Sequence, residues 1–172
     1  EHVLLHRRGV LVYETFLQEG YQFHAFTAHS MTGYWILGEG ENAPLAELID
    51  LVFDPQFTLV DLRREQDIVL SEIGLRATEP SFFISRNLLR QIYHFHPIGD
   101  GCLGTPEDIS TVTLEELLTV HAACYIPANA VLVLTGPWNE AEVCKTLERV
   151  LGLKRHGQRV SRVVYEEPVE VR

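Results

Sequence analysis

The feature that most restricts how this chain can fold is a long helical stretch with acids along one side. Thr58 is placed to cap a helix that runs to about Ala77, with Leu62, Val69, Ile73 and Arg76 along one side. Glu65 and Glu72 share a face two turns apart, with Ile68 and Val69 between them, so at least one acid is drawn toward the core. A buried carboxylate needs a partner or a metal. On an exposed face, the same acids would pair with Arg63, Arg64 and Arg76. A partner of the first kind stands at the start of the chain, in Glu1-His2, which opens an amphipathic segment. Adjacent residues on a helix point about 100° apart, so the two cannot ligate one metal side by side. They can divide the work: the imidazole binds zinc while the carboxylate acts as base on a water. That is the logic of the H-x-x-E-H motif, whose first histidine would fall three residues before Glu1. His2 and His6, also four apart, with a carboxylate form a rival pairing.

Composition narrows the classes. The chain has 172 residues, 46% hydrophobic and 22% charged, which is the make-up of one ordinary globular domain. A formal charge of −10 argues against a nucleic-acid-binding surface, which needs clustered Lys and Arg. No apolar run approaches the roughly 18 residues that span a bilayer. Cys102, Cys124 and Cys144 lack C-x-x-C spacing and suggest neither a disulfide framework nor a thiolate zinc site; they read as small core residues. Neither a glycine-rich phosphate loop nor a G-x-S-x-G elbow is found. No sequence feature fixes a compartment.

Along the chain, Glu1 to His6 reads as a helix end stopped near Gly9, and Val10 to Glu19 as a short helix or connector closed by Gly20. Tyr21 to Thr27 alternates and is rich in aromatics, Met31 to Leu37 looks like a second strand, and the short Ala28-His29-Ser30 link makes an antiparallel hairpin. Gly38 to Asn42 is a turn. Pro44 opens a helix with an apolar stripe at Leu45, Leu48, Ile49 and Val52. Pro80 to Tyr93 is helical, and His94 to Gly101 is a loop in which His94 and His96 read as packing or surface residues, as do His24 and His29 beside the hairpin. A brief helical turn begins at Thr105-Pro106, and Thr113 with Glu116 forms a capping box for a helix to about Ala123. Asn129 to Thr135 has strand length and strand composition, and a last helix runs from Asn139 to Gly152. An early hairpin, a late strand and several helices between them predict an α+β fold with an antiparallel sheet packed against helices. One domain is expected over residues 1–153, with residues 154–172 a linker or the start of a further segment. The opening without a helix cap suggests that earlier strands precede it.

In order, these segments resemble the pitrilysin/insulinase family of zinc metallopeptidases and the related mitochondrial processing peptidases. Glu1-His2-Val3-Leu4-Leu5 is similar to the second half of the H-x-x-E-H helix, Phe23 to Thr27 to the N-A-x-T strand, and Glu65 through Glu72 to the E-x6-E segment. Pro97-Ile98-Gly99, Leu103-Gly104-Thr105, Ile109, Thr113, Leu117, Tyr125, Pro127, Asn129 and Val131 to Gly136 match later landmarks in the same order.

The resemblance implies a zinc-dependent endopeptidase that cleaves peptides or small unfolded polypeptides. It implies Glu1 as general base, His2 and Glu72 as Zn2+ ligands, and Glu65 as a supporting carboxylate of the catalytic set. The strand from His24 through Ala25 and Phe26 to Thr27 would offer an edge to which a substrate peptide adds. A second homologous domain, in the same chain or in a partner subunit, is implied as well. The family also contains non-catalytic members that serve as structural or substrate-binding subunits, which is the alternative expectation.

Overall fold

The computed structural model describes residues 1–7, 10–39, 44–154 and 157–161. A 3-10 turn over His2–Leu5 leads into β1 (His6–Arg7), which pairs antiparallel with β2 (Val10–Leu11), with His6 opposite Leu11. The expected helix end at Glu1 to His6 is therefore a single tight turn followed by a strand. His2 and His6 do not share a helix face, so the helical spacing behind their rival pairing is absent, although both rings reach the Glu65 carboxylate. Helix α1 (Val12–Gln18) ends before Gly20, whose φ of +86° suits a residue without a side chain.

The hairpin forms as the alternation requires. Strands β3 (Gln22–Ala28) and β4 (Met31–Leu37) pair antiparallel from Gln22 opposite Leu37 to Ala28 opposite Met31. Phe26 faces Gly33 across the ladder, and its ring covers the space that a Cβ on Gly33 would enter. Phe23 stacks on the fully buried Phe16 of α1 at 5.5 Å between centroids, which fastens this sheet to the opening segment.

Helix α2 (Leu45–Phe53) buries Leu45 and Ile49 as its stripe foretells, with Leu51 in addition. Leu45 and Ile49 pack with Val150 of α7 (Glu140–Leu151), and Val143, Leu147 and Leu134 close the cluster. Helix α3 (Leu59–Arg76) starts at a capping box: the Asp61 amide donates to Thr58 Oγ1, while Asp61 Oδ2 accepts from the Thr58 amide and hydroxyl. Its inward face carries Leu62 and Ile73 but also the buried acids Asp61 and Glu65. Helices α4 (Pro80–Ile92), α5 (Pro106–Thr111) and α6 (Leu114–Cys124) follow, the last two with capping boxes at Thr105 and Thr113. Gln66 Nε2 donates to the Ile109 and Val112 carbonyls, tying α3 to α5, and His121 Nε2 donates to the Val52 carbonyl at 2.8 Å, tying α6 to α2. The Lys154 ammonium meets the Asp50 carboxylate and holds the chain beyond α7 against α2.

The fold is α+β, with small antiparallel sheets among helices. Two local expectations are corrected. Asn129 to Thr135 forms no ladder: Pro127–Asn129 is a 3-10 turn, and Val131 and Val133 are 90% and 78% exposed. A strand needs a neighbour for its amides and carbonyls, and none pairs with this run among the described residues. Cys102 and Cys144 are exposed and Cys124 is half-buried, so the cysteines are not core residues. On α7 the inward stripe is Val143, Leu147 and Val150, which turns Cys144 outward. Residues 40–42 of the expected turn at Gly38 to Asn42, and most of the tail from Lys154 to Arg172, lie outside the described residues. No described helix is long and apolar enough to cross a membrane.

Candidate active site

Helical geometry supplies one half of the site. At about 100° per residue, Asp61, Glu65 and Glu72 fall within roughly 40° of one another on α3. The opening segment supplies the other half. The bridge between Arg7 and Gln56 and the Arg7–Asp54 ion pair at 3.7 Å lay β1 beside the start of α3. That places His2 and His6 over the acid face.

Glu65 is buried and binds both histidines. Its Oε2 accepts from His2 Nδ1 at 3.0 Å, and its Oε1 accepts from His6 Nε2 at 2.5 Å. With Nδ1 donating, the other nitrogen of His2, Nε2, carries the lone pair, and it lies 4.0 Å from Glu72 Oε2. The side chains of His2 and Glu72 are each about one-third exposed, so this end of the cluster opens to solvent. Glu72 also sits 3.7 Å from Arg76 on the next turn.

The fit to zinc can be judged from these distances. Imidazole nitrogen and carboxylate oxygen bind zinc at about 2.0–2.2 Å in a tetrahedron, which sets two ligand atoms about 3.4 Å apart. A separation of 4.0 Å between Nε2 and Oε2 needs only a small swing of the partly exposed Glu72 side chain. A carboxylate holding the far nitrogen of a metal-binding histidine is the usual arrangement behind such ligands, and Glu65 stands there. His2 and Glu72 thus fit as two ligands. Among the described residues no group of three His, Cys, Asp or Glu side chains converges on a metal-sized space.

Glu1 lies beside the hairpin, where its Oε2 accepts from Thr27 Oγ1 at 2.9 Å. Of the four hairpin residues expected to meet substrate, Thr27 is the one bonded to this acid. His24 points outward with its ring stacked on Trp35 at 4.3 Å, Phe26 lies over Gly33, and Ala25 is half-buried on the opposite face. Tyr34, opposite Ala25, has a buried hydroxyl whose pKa is pushed up by burial first, then by Tyr125 and the Glu1 carboxylate, so it stays a neutral phenol beside the site.

Asp61 and Tyr34 have no place in the sequence reading, and His6 stands there only in the rival pairing with His2 and a carboxylate. Asp61 could have been found, since it stands one turn before Glu65 on the same face. The seat of His6 between Asp61 and Glu65 could not, because it depends on β1 lying against α3.

Known proteins share both this fold and parts of this sequence. Residues 111–171 match the family described as Peptidase M16 inactive domain, a stretch that begins beyond Glu72. The chain is 28% identical to the uncharacterized zinc protease YmfH of Bacillus subtilis over 156 residues, 90% of this chain and 36% of that protein. It is 30% identical over 119 residues to an uncharacterized zinc protease of Mycobacterium bovis, covering 68% of this chain and 27% of that one. The crystal structure of an M16-like peptidase from Alicyclobacillus acidocaldarius superposes with a TM-score of 0.81 at 28% identity, over 92% of this chain and 38% of that chain. At 20% identity, the M16 inactive domain from Pseudomonas fluorescens shares the fold, with a TM-score of 0.83. The chain belongs to the M16 peptidase family. It spans little more than a third of the length of the first relatives it matches, 36% and 38%.

Proposed function

We propose that this chain contributes the metal-binding face of a zinc-dependent metalloendopeptidase, with His2 and Glu72 as ligands and Glu1 as general base. The observation that carries the reading is the chain of contacts from Glu65 through His2 to Glu72, at 3.0 and 4.0 Å. It leaves an imidazole lone pair and a carboxylate oxygen facing one another at an open end of the cluster. Names of relatives support zinc and proteolysis, since several are called zinc proteases. The H-x-x-E-H pattern calls for a further histidine three residues before Glu1.

Zinc, when bound, supplies Lewis acidity to a peptide carbonyl and lowers the pKa of a water to about 7. The remaining work falls to the chain. Glu65 keeps the proton of His2 on Nδ1, so that Nε2 is free to bind. Thr27 orients the Glu1 carboxylate by donating to Oε2, which leaves Oε1 to take the proton of an attacking water and deliver it to the leaving amine. The β3 edge next to Thr27 offers backbone groups to a substrate peptide as an added strand. Residues 1–153 would form this domain, residues 154–172 would lead onward, and a second homologous domain would close over the cleft.

A second reading, a non-catalytic structural or substrate-binding member, is favoured by the match of residues 111–171 to a family described as an inactive domain. That stretch excludes Glu1, His2, Glu65 and Glu72, so it does not bear on the site. One comparison separates the two readings in the full-length protein: zinc content and peptide cleavage for the wild type and Glu1→Gln. The peptidase reading expects zinc in both and a cleavage rate about 100-fold or more lower in the variant. A wild type without zinc would strip His2 and Glu72 of their role as ligands, and a variant with undiminished cleavage would strip Glu1 of its role as base.

A further inference from the structure

His6 takes no part in the proposed chemistry, yet it is as deeply buried as any polar residue beside the site, with 1% of its surface exposed, as for Asp61. A carboxylate faces each of its nitrogens. Nε2 lies 2.5 Å from Glu65 Oε1, and Nδ1 lies 3.5 Å from Asp61 Oδ1, outside hydrogen-bond geometry. Burying an imidazole with two acids costs desolvation that an aliphatic residue would avoid, so the arrangement asks for a reason beyond packing.

The connections give one. Asp61 Oδ2 is occupied by the Thr58 amide and hydroxyl, each at 2.7 Å, which leaves Oδ1 turned toward His6. His6 is held by the β1–β2 ladder and donates to one oxygen of Glu65, whose other oxygen accepts from His2. A carboxylate bonded at both oxygens has one orientation; bonded at one, it can rotate about its last torsion and release the other partner. We propose that His6, seated against Asp61, is a positioning residue for His2: it locks Glu65 so that His2 keeps its proton on Nδ1 and turns Nε2 toward Glu72. The cap of α3 is thereby linked, through Asp61, His6 and Glu65, to the nitrogen that faces the metal. This inference rests on the reading of His2 and Glu72 as ligands.

The experiment uses the full-length protein as wild type, His6→Leu and His6→Gln, with two readouts. Long-range 1H–15N spectra of the imidazoles, taken metal-free at about pH 8, report which nitrogen of His2 carries the proton. Chelator competition with Zn2+ alone reports affinity. The wild type is expected to show His2 protonated on Nδ1. His6→Leu is expected to mix the two tautomers and to weaken Zn2+ binding about 10- to 100-fold. His6→Gln keeps an N–H donor for Glu65 and is expected to hold the wild-type tautomer with affinity within about threefold. A wild-type His2 protonated on Nε2, or a folded His6→Leu protein with wild-type tautomer and affinity, overturns the proposal. If His6→Leu does not fold, the wild-type spectrum and His6→Gln decide it, a mixed tautomer in the latter counting against. A wild type that binds no Zn2+ removes the metal reading, while the metal-free spectra still report whether His6 positions His2.

Discussion

Glu65 holds two imidazoles at once, and that makes it the residue on which the site's geometry turns. Its oxygens accept at 3.0 and 2.5 Å from rings carried by a segment some sixty positions away in sequence. Glu65→Gln would set an amide N–H against one of the two donors and leave a buried group unpaired. The expected loss is about 1–3 kcal/mol of stability, read by chemical denaturation of the metal-free protein. Thr27→Val tests the other side of the cleft. It removes the 2.9 Å bond to Glu1 while keeping the side chain's shape, so peptide cleavage is expected to fall by about tenfold with zinc content unchanged. Loss of zinc in this variant would mean that Thr27 supports the metal rather than the base.

At the scale of elements, the first turn of α3 links stability to the site. Burial alone would raise the Asp61 pKa, but the hydrogen bonds from Thr58, aided by His6 and Arg64, outweigh it and hold the carboxyl below its ordinary value. An unfolded aspartate titrates near 3.9, so the folded state is favoured above that pH, and the gain disappears as pH falls through the lower folded value. Thr58→Ala is expected to cost about 1 kcal/mol at neutral pH and to flatten the stability profile between about pH 5 and pH 2. An unchanged acid limb in this variant would show that the cap does not set the Asp61 titration. The Thr113–Glu116 box has the same chemistry, with Glu116 lowered by the Thr113 backbone and side-chain bonds, but it lies on the surface away from the site.

Over the whole molecule, apolar surface is unevenly covered. The α2–α7 cluster is closed, whereas Met31, Trp35 and Leu37 on the hairpin and Val131 and Val133 after α6 are exposed. Unpaired apolar strand edges favour association. Residues 1–161 expressed alone are expected to bind the dye ANS and to self-associate in size-exclusion chromatography, and the full-length protein to do neither. A monomeric, dye-free 1–161 would mean that these surfaces are tolerated in solvent.

Elements whose signals are local can be read from the residues alone. The β3–β4 hairpin, the capped α3, and the helices opening at Pro44, Pro80, Thr113 and Asn139 follow from alternation, helical period and capping chemistry, which act within a few residues. The sequence also puts Glu65 and Glu72 on one helix face, because that needs only 3.6 residues per turn. What it could not determine were relations between distant segments. Neighbouring residues could not show that Glu1 to His6 would become a turn and a strand, or that Cys102 and Cys144 would face solvent. Nor could they reveal that Val131 to Thr135 would have no ladder partner among the described residues. His6 is the clearest case: its spacing from His2 marks it as one of a pair, but only the approach of β1 to α3 seats it between Asp61 and Glu65. Periodicity is a property of the local backbone, whereas burial and ligation depend on which surfaces meet once distant segments have packed together.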